Sequence, residues 1–206
     1  MKNNIKFIIL LIYFFFIGQI NLSSDEFYFE GEEIQILDEG NRLISEEGVK
    51  ITTNSGLTFE GEKFEYNKTK FELVLSDNVI IKDIKKDIII KTNKIKYFEK
   101  DEKLFTYDNT EININNKYLL SSKDIIFNRR DGVLSSKKNT LIIDNYQNEV
   151  RSNEFKFFTK DRLLKAKSVL IEDSVGNNTF LKNFIGNLND DQFFGKDVKI
   201  NFNKNT

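Results

Sequence analysis

The chain contains no cysteine, no histidine, no proline and no tryptophan, and a single methionine among its 206 residues. Without cysteine and histidine there are no thiol nucleophiles, no thiolate or imidazole metal ligands, and no side chain that ordinarily shuttles protons near neutral pH. Most hydrolase and oxidoreductase constellations go with them. One-sided charge is missing too: 31 basic residues stand against 32 acidic ones, interspersed, for a net charge of −1. That balance lacks the electrostatic footprint of a protein that grips a nucleic-acid backbone, so nucleic acid is not expected as a partner. Beyond the N-terminus, no apolar run is long enough to cross a bilayer as a helix.

What is present is a beat of about 30 residues. Each unit opens with an apolar pair one residue apart among polar neighbours: Ile34/Ile36, Phe64/Tyr66, Ile95/Tyr97, Ile125/Phe127 and Phe155/Phe157. A second alternating segment follows at Val49-Lys50-Ile51, Val79-Ile80-Ile81, Thr110-Glu111-Ile112, Thr140-Leu141-Ile142, Val169-Leu170-Ile171 and Val198-Lys199-Ile200. The first series steps by 30, 31, 30 and 30 residues and the second by 30, 31, 30, 29 and 29. Register kept that closely marks a repeat architecture whose stacked units bury a shared core.

The alternation in Lys63-Phe64-Glu65-Tyr66, Lys94-Ile95-Lys96-Tyr97 and Glu154-Phe155-Lys156-Phe157 is that of half-buried antiparallel strands, with no sustained helical spacing of three and four. Polar clusters at 67–70, 99–103, 128–132, 159–162 and 173–178 supply the reversals. Strands that are each half apolar must share one interior. Stacked ribbons with their apolar sides facing make a two-walled, elongated sheet. The candidate lining residues are Ile34, Ile36, Val49, Ile51, Phe64, Tyr66, Val79, Ile81, Ile95, Tyr97, Ile112, Ile125, Phe127, Ile142, Phe155 and Phe157. They either pack against one another in a closed core or line a groove for something apolar.

Residues 1–24 carry Lys2 and Lys6, then the apolar run Phe7–Ile17, then a small, polar exit. This is the pattern of a secretory signal peptide, with an uncleaved anchor extended to Leu22 as the alternative. Either delivers residues 25–206 across a membrane. The adjacent acidic pairs Glu32/Glu33, Glu46/Glu47 and Asp190/Asp191 project to opposite faces of an extended strand, so they form no acid–base site. Ser121-Ser122-Lys123 and Ser135-Ser136-Lys137 have the composition of a Ser/Lys dyad but sit at repeat-related turns or strand ends. The clusters Lys82–Asp87 and Arg129-Arg130-Asp131 mix signs, as solvated turns do. No catalytic residue, metal site or cofactor site emerges.

The recurrent Glu/Lys-Φ-x-Tyr/Phe segment, a polar turn and then Gly48-Val49-Lys50-Ile51 or Asn78-Val79-Ile80-Ile81 resembles the OstA-like domain of the lipopolysaccharide-transport proteins, which include LptA, LptC and the N-terminal part of LptD. The resemblance spans residues 27–202. The segments Arg162–Asp173 and Phe194–Phe202 resemble the stretch that precedes the membrane barrel in LptD-like proteins. Among these relatives the resemblance is nearest to the N-terminal part of LptD; with no barrel sequence after Thr206 and none of the cysteines that link domain and barrel in some relatives, the expectation is either a truncated or partial product of that kind or a free-standing LptA-like carrier. The resemblance implies an all-β fold, a repetitive antiparallel β-jellyroll or β-taco of roughly 12 short strands, preceded by an N-terminal signal helix. It further implies no enzymatic activity and no cofactor. The implied role is to shelter lipopolysaccharide acyl chains in the periplasm on the way to the outer membrane. The implied partners are lipopolysaccharide, other OstA-like proteins joined head to tail by strand addition near 27–37 and 193–202, and an outer-membrane barrel. A secreted structural or adhesive β-solenoid without lipid cargo is the alternative.

Overall fold

A computed structural model describes residues 26–173, 176–190 and 192–201. The expected leader at 1–24 and its helix lie outside the described residues, as does Phe202. Strand follows strand throughout: β1 Phe27–Glu30, β2 Gln35–Leu37, β3 Arg42–Ser45, β4 Val49–Thr53, β5 Leu57–Gly61, β6 Lys63–Asn67, β7 Glu72–Asp83, β8 Ile88–Phe98, β9 Lys103–Ile114 and β10 Tyr118–Lys123. The second half continues with β11 Ile126–Asn128, β12 Val133–Ser136, β13 Thr140–Asp144, β14 Glu149–Ser152, β15 Glu154–Phe158, β16 Leu163–Glu172, β17 Asn178–Asn187, β18 Gln192–Lys196 and β19 Lys199–Asn201. The only helical geometry among the described residues is two three-residue 3-10 turns, Asp38–Gly40 and Ile84–Lys86.

The expected dozen strands thus become 19 segments, and the reason is local. Each traverse of the chain crosses a corner. In β7, β8, β9, β16 and β17 the strand bends there without breaking, whereas β1/β2, β3/β4, β5/β6, β10/β11, β12/β13, β14/β15 and β18/β19 are traverses cut in two. Several corners hold a non-glycine residue at positive φ: Asp77, Asn78, Asp108, Asp124, Ser168 and Asp197. Asp and Asn tolerate that left-handed conformation better than other side chains because they bond locally to the backbone. At one corner the Asp124 carboxylate also accepts from the Asp108 backbone N–H on the neighbouring traverse, at 3.2 Å. The ladder slips by one register at Ser76/Val79 in the β7–β8 pair and at Thr92/Lys94 in the β8–β9 pair, where bulges sharpen the bend.

The two halves of each bent strand therefore pair with different neighbours. The N-terminal half of β9 pairs with β11 and its C-terminal half with β10, while β16 takes β15 and β14 in the same way. All pairings are antiparallel, and two walls result, joined along the line of corners. The first wall comprises β2, β3, β6, the N-terminal half of β7, the C-terminal half of β8, the N-terminal half of β9, β11, β12, β15, the N-terminal half of β16, the C-terminal half of β17 and β18. The second comprises β1, β4, β5, the remaining halves of the long strands, β10, β13, β14 and β19. In section the molecule is a V, and its apolar core fills the angle.

Candidate functional site

Residues directly opposite in an antiparallel pair project from the same face, so the inner surface can be followed from strand to strand. On the first wall one row runs Ile36, Leu43, Tyr66, Leu73, Tyr97, Leu104, Phe127, Leu134, Phe157, Leu164, Gly186 and Phe193. On the second wall a row runs Phe29, Ile51, Phe59, Ile81, Ile90, Ile112, Leu120, Ile142, Val150, Ile171, Thr179 and Ile200. Among these 24 positions only Gly186 and Thr179 are not apolar or aromatic, so each wall presents an almost unbroken apolar stripe along the molecule.

Depth in the V sets side-chain size. Near the corners, where the walls converge, residues are small: Val49 opposite Gly61, Val79 opposite Thr92, and Thr140 opposite Ser152. Several hydroxyls there satisfy one another, with Thr110 donating to Thr106 at 2.7 Å and Ser122 lying 2.9 Å from Thr140, while the buried Ser152 hydroxyl has no partner among the described residues. Ser136 donates to the Lys123 carbonyl at 2.6 Å. Ser122 and Ser136, from the two Ser-Ser-Lys segments, are thus bonded into corners. Farther out the walls diverge, and rings fill the space between them. Phe29 stacks on Phe64 with centroids 5.6 Å apart, Phe27 meets Tyr66 edge-on at 5.2 Å, and Phe59 lies 5.3 Å from Tyr97. The Tyr66 hydroxyl reaches the buried Glu99 carboxylate at 2.8 Å.

Of the expected lining residues, Val49, Ile51, Phe64, Tyr66, Val79, Ile81, Ile95, Tyr97, Ile112, Ile125, Phe127, Ile142, Phe155 and Phe157 are buried in the angle. Ile34 precedes β2 and packs partly buried against the core. Ile36 departs from the set, at 67% exposed. It belongs to the inner row, opposite Leu43, yet no described residue of the second wall faces it, because the walls are offset along the long axis. The ring contacts show the offset: Phe29 of the first traverse faces Phe64 of the third, and Phe59 of the third faces Tyr97 of the fifth. The first strand of the first wall therefore has no opposite number. The last strand of the second wall is in the same position, and Ile200 there is 52% exposed.

Across the mouth of the V the two rims are fastened together, which the sequence did not suggest. Arg129, on a rim turn of the first wall, donates from Nε to Asp83 Oδ2 at 2.9 Å, from Nη1 to Ser55 Oγ at 2.9 Å and from Nη2 to the Ser55 carbonyl at 3.2 Å, all on the second wall. Arg129 and Asp83 are both buried, with side chains 8% and 1% exposed. Lys86 on the second rim donates to the Arg129 carbonyl at 2.5 Å and lies over the Phe127 ring. One turn farther along, Arg162 donates to Asn115 Oδ1. Burial lowers the Lys86 pKa; Asp83 opposes that shift and Arg129 adds to it.

The acidic pairs Glu32/Glu33 and Glu46/Glu47 are exposed, and no cluster of three or more acidic side chains placed to hold a metal ion occurs among the described residues. Arrangement and chemistry together give an apolar interior between two walls, a polar fastening at its mouth and open ends.

No family description and no curated protein sequence matches the chain. Among solved structures it is similar to the crystal structure of LptH, the LptA homologous periplasmic component of the conserved lipopolysaccharide transport device from Pseudomonas aeruginosa, at 7% identity, over 72% of this chain and 96% of that chain, with a TM-score of 0.30. A superposition of that extent decides nothing about cargo or role in this chain.

Proposed function

We propose that this protein is a periplasmic component of lipopolysaccharide transport that shelters acyl chains between its two walls, as the OstA-like resemblance of its repeats implies. The observation that carries the reading is the pair of apolar rows that run through the fold and emerge at its open ends in Ile36, Phe193 and Ile200. A saturated chain of a dozen or so carbons in water costs on the order of 10 kcal/mol, at about 0.8 kcal/mol per methylene. Crossing an aqueous compartment therefore calls for continuous apolar cover, which a repeat fold supplies at any length. Rings and aliphatic groups without directional bonding suit a cargo that has no fixed shape.

On this reading the cross-wall contacts are the unloaded state, and acyl chains replace wall-to-wall contacts with lipid contacts of similar polarity. The leader exports the chain to the periplasm. The open strands near 27–37 and 193–202 add head to tail to related domains, and an outer-membrane barrel receives the lipid at the far end. The protein works without catalysis or cofactor.

The near-complete burial of the inner rows favours a second reading, a dry-cored structural or adhesive solenoid. A photocrosslinking residue separates the two. Placed at Phe64 or Tyr97 it labels lipopolysaccharide if the angle of the V carries lipid, whereas the outward Lys63 and Lys96 stay unlabelled. Equal labelling at both pairs, or none at the inner pair, removes the transport reading and leaves the scaffold.

A further inference from the structure

Beside the Arg129 fastening, three rim turns from three different repeats enclose an open cleft of about 470 Å³, lined by Lys85, Lys86, Arg130, Asp131, Gly132, Thr159, Lys160 and Arg162. Five of these are cationic and one is acidic, in a chain whose net charge is −1. The one acid is already engaged, since Asp131 accepts from Asn128 and its backbone N–H donates back to the Asn128 side chain. Glu102, just outside the cleft, lies 3.6 Å from Arg130 and 3.7 Å from Arg129.

Uncompensated charge in the cleft is held in place by the fold. Arg162 is anchored through Nη2 to Asn115, which leaves Nη1 buried with no hydrogen-bond partner. A buried guanidinium nitrogen without an acceptor is costly unless something supplies one. Gly132 at φ 68° keeps the floor open: a Cβ there would lie 2.7 Å from Thr159 Oγ1 and 3.9 Å from Lys86 Nζ. A hydroxyl, guanidinium groups and ammonium groups around one small concavity are the donors that a tetrahedral oxyanion takes up.

We propose that this cleft is a binding site for a phosphate-type oxyanion. The Arg162 guanidinium and the Thr159 hydroxyl, both in the cleft lining, supply directional hydrogen bonds, and Lys85, Lys86 and Lys160 supply charge. The phosphoryl group comes either from inorganic phosphate in solution or from the headgroup of a lipid; the cleft's place at the mouth of the V makes the second source a deepening of the lipid reading, while anion binding itself does not depend on that reading.

The test is a 31P NMR titration of inorganic phosphate with the purified full chain, at about 0.15 M salt. Saturable phosphate binding is expected, weakened at least about tenfold in Lys85→Ala/Lys160→Ala, two exposed side chains whose loss leaves the core intact. Arg162→Lys, which keeps the charge but loses the fork, is expected to weaken binding by a similar factor, while Lys50→Ala on the distant outer face leaves it unchanged. A second arm uses phosphatidylcholine vesicles with and without phosphatidic acid, whose headgroup is a phosphomonoester. Cosedimentation that needs phosphatidic acid and is lost in Lys85→Ala/Lys160→Ala assigns the lipid source. Phosphate binding without vesicle binding assigns the free anion. Absence of saturable phosphate binding, or binding indifferent to the cleft variants, overturns the proposal. Crosslinking at Tyr97 judges the acyl-chain reading separately.

Discussion

Removing the Asp83 carboxylate breaks the fastening between the rims and should be among the most damaging single changes outside the aromatic interior. Asp83 and Arg129 are almost wholly shielded from solvent, and taking one partner from such a pair leaves the other buried and uncompensated, at about 3–5 kcal/mol. Arg129 keeps its two bonds to Ser55 and lies 3.7 Å from Glu102, which points to the lower end. Asp83 also accepts from the Lys86 backbone N–H at 3.3 Å, worth about 1 kcal/mol more. Asp83→Ala is therefore expected to cost about 3–4 kcal/mol, or roughly 10 °C in Tm for a chain of this length. Asp83→Leu/Arg129→Met, which removes both charges and keeps the volume, should restore stability to within about 1 kcal/mol of the natural chain. Urea denaturation followed by circular dichroism, repeated at about 1 M salt, measures both. Screening barely reaches a buried pair, so the Asp83→Ala deficit should persist at high salt. A deficit below about 1 kcal/mol, or a double variant as unstable as the sum of its singles, refutes the picture of a coupled, desolvated bridge.

Other expectations are simpler. Phe155→Ala, in the filled angle of the V, should cost about 3–5 kcal/mol, whereas Phe193→Ala at the 51% exposed end of the same wall should cost under about 1 kcal/mol; equal losses in urea denaturation would mean that the end is covered. Ser168 is exposed at φ 51°, so Ser168→Gly should gain up to about 1 kcal/mol and Ser168→Val should lose about 1–2 kcal/mol; the reverse order of Tm would remove the corner from the account. The phenol pKa of Tyr66 is raised above its ordinary 10.0 by burial, then by the hydrogen bond to Glu99 and that carboxylate's charge. A raised folded pKa stabilises fully below the unfolded value and is lost as pH climbs above it, so unfolding free energy should fall from about pH 10 upward. Tyr66→Phe should flatten that alkaline slope while costing about 1–3 kcal/mol at neutral pH through the unpaired Glu99. An unchanged slope between pH 9 and pH 11 would show that Tyr66 does not titrate with unfolding.

What could be read from the sequence followed the physics of alternation. Pairs such as Ile95/Tyr97 and Phe155/Phe157 are two apart with charged neighbours, and period two leaves one way to bury them. The reversal at 128–132 is legible because Asn, Asp and Gly cluster there, and that at 99–103 because five charged residues in a row interrupt the alternation. The opposite reversals, at Asn54–Gly56 and Asn115–Lys117, carry the same Asn/Gly chemistry in only three residues each, too short a stretch to interrupt the alternation on its own. The corners were harder, because Asp108 and Asp124 look like outward-facing polar residues of a strand until their backbone is seen in the left-handed region. Arg129 and Asp83 stand in clusters of mixed charge, 46 residues apart, and mixed clusters are usually solvated. Their meeting depends on how far one wall is displaced along the other, a quantity that no local sequence pattern carries. Ile36 has the same explanation: its periodicity is that of an inner residue, but cover depends on the other wall.

That displacement also determines how the molecule ends. Near residue 36 a ledge of the first wall stands alone, and near residue 200 a ledge of the second wall does. On the head-to-tail reading proposed above, two such ends would fit as a carpenter's half-lap does, each ledge roofing the other. A neighbour so joined would bring Ile36 and Ile200 out of water together and carry the apolar stripe from one body into the next without a step.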